Sequence, residues 1–276
     1  MGAWFFQSIP KYCPGVEGVL NGTNYPRTTM WVDSHCHLQL TDQEPSALLE
    51  RAPDVEWLVV PGIDAASSGA AVELAGRYPD QIVAAVGLHP HEADKWAAER
   101  CSIVESAHRA AAIGEIGLDF YRDLSPRWLQ WEAFNAQLQL ATDLDKPAVV
   151  HCRDAFREIY DVIESTGTGE RVVMHCWTGG ARWTRRFLDL GVMISFAGPV
   201  AFETGDTVRR AAAVVPPERA MVETDTPYLS PPPFRGEPNE PARVALVGAA
   251  LARVWGTTAD EVARVTADNA SRVFRR

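Results

Sequence analysis

An alternation of two patterns constrains the fold of this chain more than any other feature. From Met30 onward, eight short runs rich in Val, Ile and Ala take turns with longer stretches whose apolar residues recur at helical spacing. The runs cover residues 31–35, 55–61, 82–88, 111–117, 148–152, 171–176, 192–197 and 220–225. Several are almost continuously hydrophobic, as parallel strands covered by helices are. The intervening stretches carry helix punctuation. Asp64 stands at an N-cap position before a face made by Ala71, Leu74, Ala75 and Tyr78, and Pro79 follows its end. Ser125-Pro126 places a capping hydroxyl before a proline at a first helical position. The helix beyond it has Trp131, Phe134, Leu138 and Ala141 on one face, a stripe that reads as helix-to-barrel packing. Thr258 and Glu261 have capping-box spacing and open a last helix to about Phe274.

Eight strands, each but the last followed promptly by a helix, predict an α/β chain folded as a (β/α)8 TIM barrel over residues 30–276. A doubly wound sheet is the alternative, but it carries fewer strands and a glycine-rich first turn. Here that turn is His35-Cys36-His37. Residues 1–29, rich in Gly, Pro, Asn and Thr, read as a loose extension ahead of the barrel. They lack a basic start, and the apolar patch Trp4-Phe5-Phe6 is too short for a signal peptide. No apolar run reaches the roughly twenty residues that span a bilayer. The five cysteines are irregularly spaced and read as reduced thiols of a cytoplasmic protein. A formal charge of −10 argues against a broad nucleic-acid footprint, so an anionic substrate must meet a small, locally positive site.

What the runs end in is more specific. Six of the seven histidines stand at or just past the ends of runs: His35, His37, His89, His91, His151 and His175. Only His108 lies elsewhere, on a helix. The fourth run carries Glu115, and the eighth carries Glu223 and Asp225. In (β/α)8 barrels strand ends converge on one mouth, where active sites sit. Residues two apart in a strand share a side, so His35 and His37 are expected to face that mouth together. By the same alternation Cys36, Cys152 and Cys176 are expected to point away, as packing thiols.

The imidazoles of His35, His37, His151 and His175 with the carboxylates of Glu115 and Asp225 exceed what one four-coordinate ion with an open position needs. They suit two divalent ions about 3.5–4 Å apart sharing a carboxylate and a hydroxide. Such ions lower the pKa of bound water, neutralise a phosphoryl or carbonyl oxygen, and leave the pocket locally positive. Histidine-rich ligation suits Zn2+ or Mn2+ while nucleases often use Mg2+, and the ligand types do not choose among them. His89-Pro90 fits a turn as well as a substrate contact. His91 and His108 read as surface residues, and Asp33 as a loop cap or the partner of a ligating histidine. Pro231-Pro232-Pro233 would stiffen the loop that presents Arg235 to substrate. The Trp residues at 128, 131, 177, 183 and 255 are mostly core candidates, with Trp177 the one placed for base stacking.

In order along the chain, DSHCHL, GLHPH, GEIGLDF, HCRDA, MHCWTG, ETDTPYL and NASRVF resemble the motifs of the TatD family of metal-dependent deoxyribonucleases. The resemblance runs from Met30 to the C-terminus, and the set in this order is specific where each motif alone is not. It implies a metal-dependent hydrolase barrel of the amidohydrolase type that cleaves phosphodiester bonds in DNA, often as a 3′→5′ exonuclease on single strands or strand ends. It further implies His35, His37 and Asp225 on one ion, His151 and His175 on a second, and Glu115 bridging both. Asp225 would orient the attacking water and accept its proton, which makes Glu115 and Asp225 the catalytic carboxylates. His89, Asp119, Arg153, Gly179 and Glu223 lie in motifs that line the family's pocket, with Arg153 the natural phosphate contact.

One departure matters. Family members commonly carry two basic residues before Asn-Glu-Pro, whereas Glu237-Pro238 precede Asn239-Glu240-Pro241 here. That loss weakens the expected grip on a nucleic-acid backbone and keeps a rival in view, a related barrel hydrolase acting on a small ester, amide or phosphate ester. Many such enzymes bridge their metals with a carboxylated lysine, yet Lys11, Lys95 and Lys146 are the only lysines and none ends a run. A non-catalytic metal- or partner-binding barrel is expected to have lost a ligand, and none is missing.

Overall fold

A computed structural model describes residues 29–275, so all but Thr29 of the expected N-terminal extension lies outside the described residues. The eight apolar runs form strands β1 (Trp31–Asp33), β2 (Val55–Pro61), β3 (Ile82–Val86), β4 (Ala112–Asp119), β5 (Ala148–Arg153), β6 (Val172–Met174), β7 (Met193–Phe196) and β8 (Ala220–Val222). All neighbouring pairs are parallel and follow chain order. The sheet closes through the chain just past β1 and β8. Ser34 N–H donates to Val222 O at 3.0 Å, Asp225 N–H to His35 O at 2.9 Å, and His37 N–H to Thr226 O at 2.8 Å. The architecture is a (β/α)8 barrel.

Around it lie α1 (Pro45–Glu50), α2 (Ala65–Arg77), α3 (Trp96–Ala107), α4 (Arg127–Asp143), α5 (Phe156–Thr166), α6 (Ala181–Asp189), α7 (Asp206–Ala212), α8 (Val244–Trp255) and α9 (Ala259–Phe274). Asp64 caps α2 in a reciprocal capping box with Ser67, and Thr258 accepts from Glu261 N–H at the start of α9. Ser125 does not cap α4; its hydroxyl donates instead to His91 O at 2.8 Å, tying two rim loops together. Phe134, Leu138 and Ala141 pack α4 onto the barrel as their spacing predicts. No helix among the described residues is long and apolar enough to cross a membrane.

The core has two layers. Leu58, Val60, Ile113, Ile116, Val150 and Ile194 face outward under the helices. Inside the barrel, Val59, Val83, Ala85, Ala112, Val149, Val173, Met193 and Met221 fill the bore, and Phe274 of α9 plugs its base against Trp57. Two residues beyond this inner layer, the same strand face turns polar. Val149 is followed by His151, Val173 by His175, Met193 by Ser195 and Met221 by Glu223. Glu115 is out of phase with Ala112, and the register shift between Ile113 and Ile116 of β4 turns it inward.

Candidate active site

Glu115 is the hub. Its Oε1 lies 2.8 Å from His151 Nδ1, 2.8 Å from His175 Nε2 and 3.2 Å from His89 Nε2. Its Oε2 lies 3.3 Å from both His35 Nε2 and His37 Nε2. Those two nitrogens are 3.0 Å apart, and Asp225 Oδ1 stands 3.7 Å from each. The His-x-His expectation therefore holds geometrically although β1 ends at Asp33, because the following segment stays extended between β2 and β8. Burial by itself would raise the Glu115 carboxyl, but His175, His89 and His151 outweigh it and hold the group well below the usual carboxylate range. Burial dominates at Asp225 and raises its carboxyl to about 7 despite His175 and His37.

The outward atoms of the rings decide what the inward atoms offer. His37 Nδ1 lies 3.1 Å from Pro61 O, an acceptor only, so it carries the proton and leaves Nε2 a lone pair. His175 Nδ1 faces Glu223 Oε1 at 3.3 Å, and His151 Nε2 lies 3.4 Å from Asp119 Oδ2. In the neutral tautomers these partners favour, ring lone pairs point at the lone pairs of Glu115 and Asp225. Either a proton or a cation must stand between such facing acceptors, and nitrogen and carboxylate donors of this kind suit a divalent metal. The sets His35, His175 and Asp225, then His35, His37 and Glu115, then His89, Glu115 and His151 are close enough to hold one. His89 differs from the others in kind. Its Nδ1 accepts from His91 N–H at 3.1 Å, which leaves the proton on Nε2 aimed at Glu115. The ring is a donor rather than a ligand.

A cavity of about 540 Å³ opens over the cluster, lined by His37, His89, Glu115, His151, His175 and Asp225 at its floor and by Arg122, Leu124, Arg153, Thr178 and Tyr228 higher up. Arg153 lines it as expected, its guanidinium 4.1 Å over the Tyr121 ring. Several other expectations are corrected. Glu223 is fully buried behind His175, accepting from Cys176 N–H at 2.7 Å, and does not face the cavity. Gly179 does not line it either; a side chain there would strike the Trp177 indole, 2.3 Å from its Cβ position. Arg235 is held away by the Phe202 ring at 3.8 Å and by Ser230 O at 2.9 Å. Trp177 is buried, wedged against Phe156 and Phe187 with its Nε1–H on Thr184, so no base can stack on it.

His91 is no surface residue: its Nε2 meets Asp119 Oδ2 at 2.8 Å at the cavity edge. Asp119 thereby ties His91 and His151 together. Asp33 caps the chain rather than serving a ring, accepting from the backbone and hydroxyl of Thr224 at 2.9 and 2.6 Å. Cys36 is buried as expected, but Cys152 and Cys176 reach the cavity. Cys176 has φ 43°, and this left-handed residue breaks the strand alternation that would have turned it away. Arg122, Leu124 and Tyr228 were not singled out from the sequence. Their signal is adjacency, since Arg122 and Leu124 follow Asp119 and Tyr228 follows Asp225.

A family model described as TatD related DNase matches residues 32–275. A Bacillus subtilis protein called an uncharacterized metal-dependent hydrolase is 37% identical, the match covering 89% of this chain and 99% of the relative. A Pectobacterium parmentieri protein named 3′-5′ ssDNA/RNA exonuclease TatD is 34% identical over 85% of this chain and 94% of its own length. The crystal structure of a TatD homolog from Escherichia coli K12 superposes with a TM-score of 0.82 at 28% identity, covering 89% of this chain and 98% of that one.

Proposed function

This chain belongs to the TatD family of metal-dependent hydrolases, and from that premise we propose that it cleaves phosphodiester bonds of DNA stepwise from a 3′ end. The observation that carries the reading is a juxtaposition. A cluster of nitrogen and carboxylate donors that could hold divalent cations forms the floor of a cavity whose wall holds Arg122 and Arg153, and neither guanidinium has a carboxylate partner among the described residues. A phosphodiester anion satisfies both. Relatives named 3′-5′ ssDNA/RNA exonuclease support the same substrate.

In this reading His35, His37 and Asp225 would hold one divalent ion (Mg2+, Mn2+ or Zn2+), His151 and His175 would hold a second, and Glu115 would serve both. Its two oxygens already face different histidines, which supports the bridging role. Divalent ions there supply a water of lowered pKa and offset phosphoryl charge. Asp225 borders the cavity, and it takes the proton of the attacking water on the oxygen turned away from His35 and His37. His89 donates from Nε2 to Glu115 and fixes that carboxylate. Arg153 and Arg122 grip the phosphate through charge-assisted hydrogen bonds. One observation favours the small-substrate rival: Glu237, ahead of Asn239-Glu240-Pro241, pairs with Arg243 at 3.3 Å, so this segment adds no free cation for a nucleic-acid backbone.

The test is protein stripped of metal and reloaded with Mg2+, Mn2+ or Zn2+, given single-stranded DNA labelled at either end, beside Asp225→Ala. Metal-dependent shortening from the 3′ end that the variant lacks is the expected result. DNA left intact by protein that hydrolyses methyl p-nitrophenyl phosphate would replace the nuclease with the rival.

A further inference from the structure

We infer that Tyr121 and Tyr228 are base-stacking platforms that seat the last bases of an unpaired strand at the cavity mouth, an inference that rests on the nuclease reading above. The large hydrophobic side chains exposed among the described residues are Met30, Val104, Tyr121, Leu124, Trp128 and Tyr228. Tyr121 and Leu124 lie on the connection after β4, Trp128 opens α4, and Tyr228 lies on the loop after β8. Apolar surface gathered beside a polar site marks a place where something binds.

The two tyrosines are also registered to the ligand cluster. Tyr121 N–H and Arg122 N–H donate to Asp119 Oδ1 at 3.0 and 2.8 Å, and Asp119 in turn holds His91 and His151. The Tyr121 ring, 62% exposed, carries the Arg153 guanidinium on one face. That stack presents an aromatic surface and a phosphate-binding cation as one unit. On the opposite side Tyr228 N–H donates to Asp225 O at 2.8 Å, and its ring, 53% exposed, stands edge-on to His37 at 6.3 Å. Tyr228 thus hangs from Asp225 of the cluster and Tyr121 from Asp119, which stands behind His151, so a base stacked on either fixes its own phosphate over the floor. Stacking needs a free π face without a particular base, and it tolerates sequence. In a duplex those faces are taken by neighbouring base pairs, so the platforms select single-stranded ends.

The experiment compares kcat/KM of the metal-loaded protein on single-stranded DNA with intact bases against the same strand with its last two 3′ nucleotides abasic. Tyr121→Ala and Tyr228→Ala are expected to lose about tenfold each on the intact strand, the scale of one stacked base. They should lose much less on the abasic strand, and Tyr121→Phe and Tyr228→Phe should restore the preference for bases. Equal losses on both strands, or none on the intact one, would overturn the assignment while leaving the nuclease in place. Wild-type protein that hydrolyses methyl p-nitrophenyl phosphate but shortens neither strand would remove the nuclease reading and this one with it. Both side chains are exposed, so unchanged melting temperatures are the check that the variants fold.

Discussion

His175 and His89 both approach Glu115 Oε1, at 2.8 and 3.2 Å, yet they bring opposite atoms to it. Glu223 behind His175 favours a lone pair facing inward, while the backbone N–H of His91 turns a proton inward on His89. Titrating metal-free protein with Mn2+ should therefore separate them. His175→Ala is expected to abolish binding of an ion, and His89→Ala to keep the stoichiometry while affinity falls by no more than about 10–100-fold, the scale on which outer partners tune metal sites. Loss of an ion in His89→Ala would make it a ligand. The thiols divide as sharply. Burial pushes the Cys36 and Cys152 thiols well up, whereas Cys101 is exposed on α3. Iodoacetamide at neutral pH should label Cys101 and spare Cys36 and Cys152 until denaturant is added, read by peptide mass spectrometry. Labelling of Cys36 in native protein would contradict the packing described. At this scale the residue types that gather around Glu115 were legible in the sequence. The inward or outward sense of Cys176, with its positive φ, was not, because a single left-handed residue leaves no trace in a hydrophobic pattern.

Among the elements, α8 shows a conflict between local and tertiary preference. Glycine inside a helix costs about 1 kcal/mol against alanine, so Gly248→Ala would stabilise α8 in isolation. In the barrel a Cβ at Gly248 would stand 2.1 Å from the Trp31 ring, so the helix must retreat from β1 or the ring must move. Overpacking of this kind costs about 1–3 kcal/mol, and the net effect expected in denaturant unfolding is destabilisation. A stabilised variant would mean that Trp31 yields freely. The same contrast separates two caps. Asp64 caps α2 as its spacing predicts, because its partner Ser67 lies within the same turn. Ser125 has equal local credentials but bonds to His91 O across the rim. Strand positions followed the apolar runs, while β1, β3, β6, β7 and β8 end earlier than those runs, and past β1, β6 and β8 the chain leaves the ladder to carry His35, His37, His175, Glu223 and Asp225.

For the whole molecule, the charge of −10 and the two arginines at the mouth that lack a carboxylate partner among the described residues set the electrostatics of binding. Each phosphate neutralised on a single strand contributes about −0.7 to the dependence of log K on log salt, so Arg122 and Arg153 give a slope of about −1.4. Single-stranded DNA bound to Asp225→Asn protein should weaken only about sevenfold between about 50 and 200 mM monovalent salt, measured by fluorescence anisotropy. A slope of about −4 or steeper would mean phosphate contacts well beyond Arg122 and Arg153.

Local patterning was enough to read the barrel and the rim where the polar residues gather, because strand alternation and helix caps act over a few residues and leave a periodic record. It also delivered the residue types of the cluster, since six histidines at strand ends have few other uses. Long-range packing sorts the polar residues into those that face the cavity and those that stand behind them. Glu223 went behind His175, Arg235 onto Phe202, Trp177 into the core, and Tyr121 onto Arg153. Those placements depend on contacts between loops far apart in the chain, where no period links one residue to its partner.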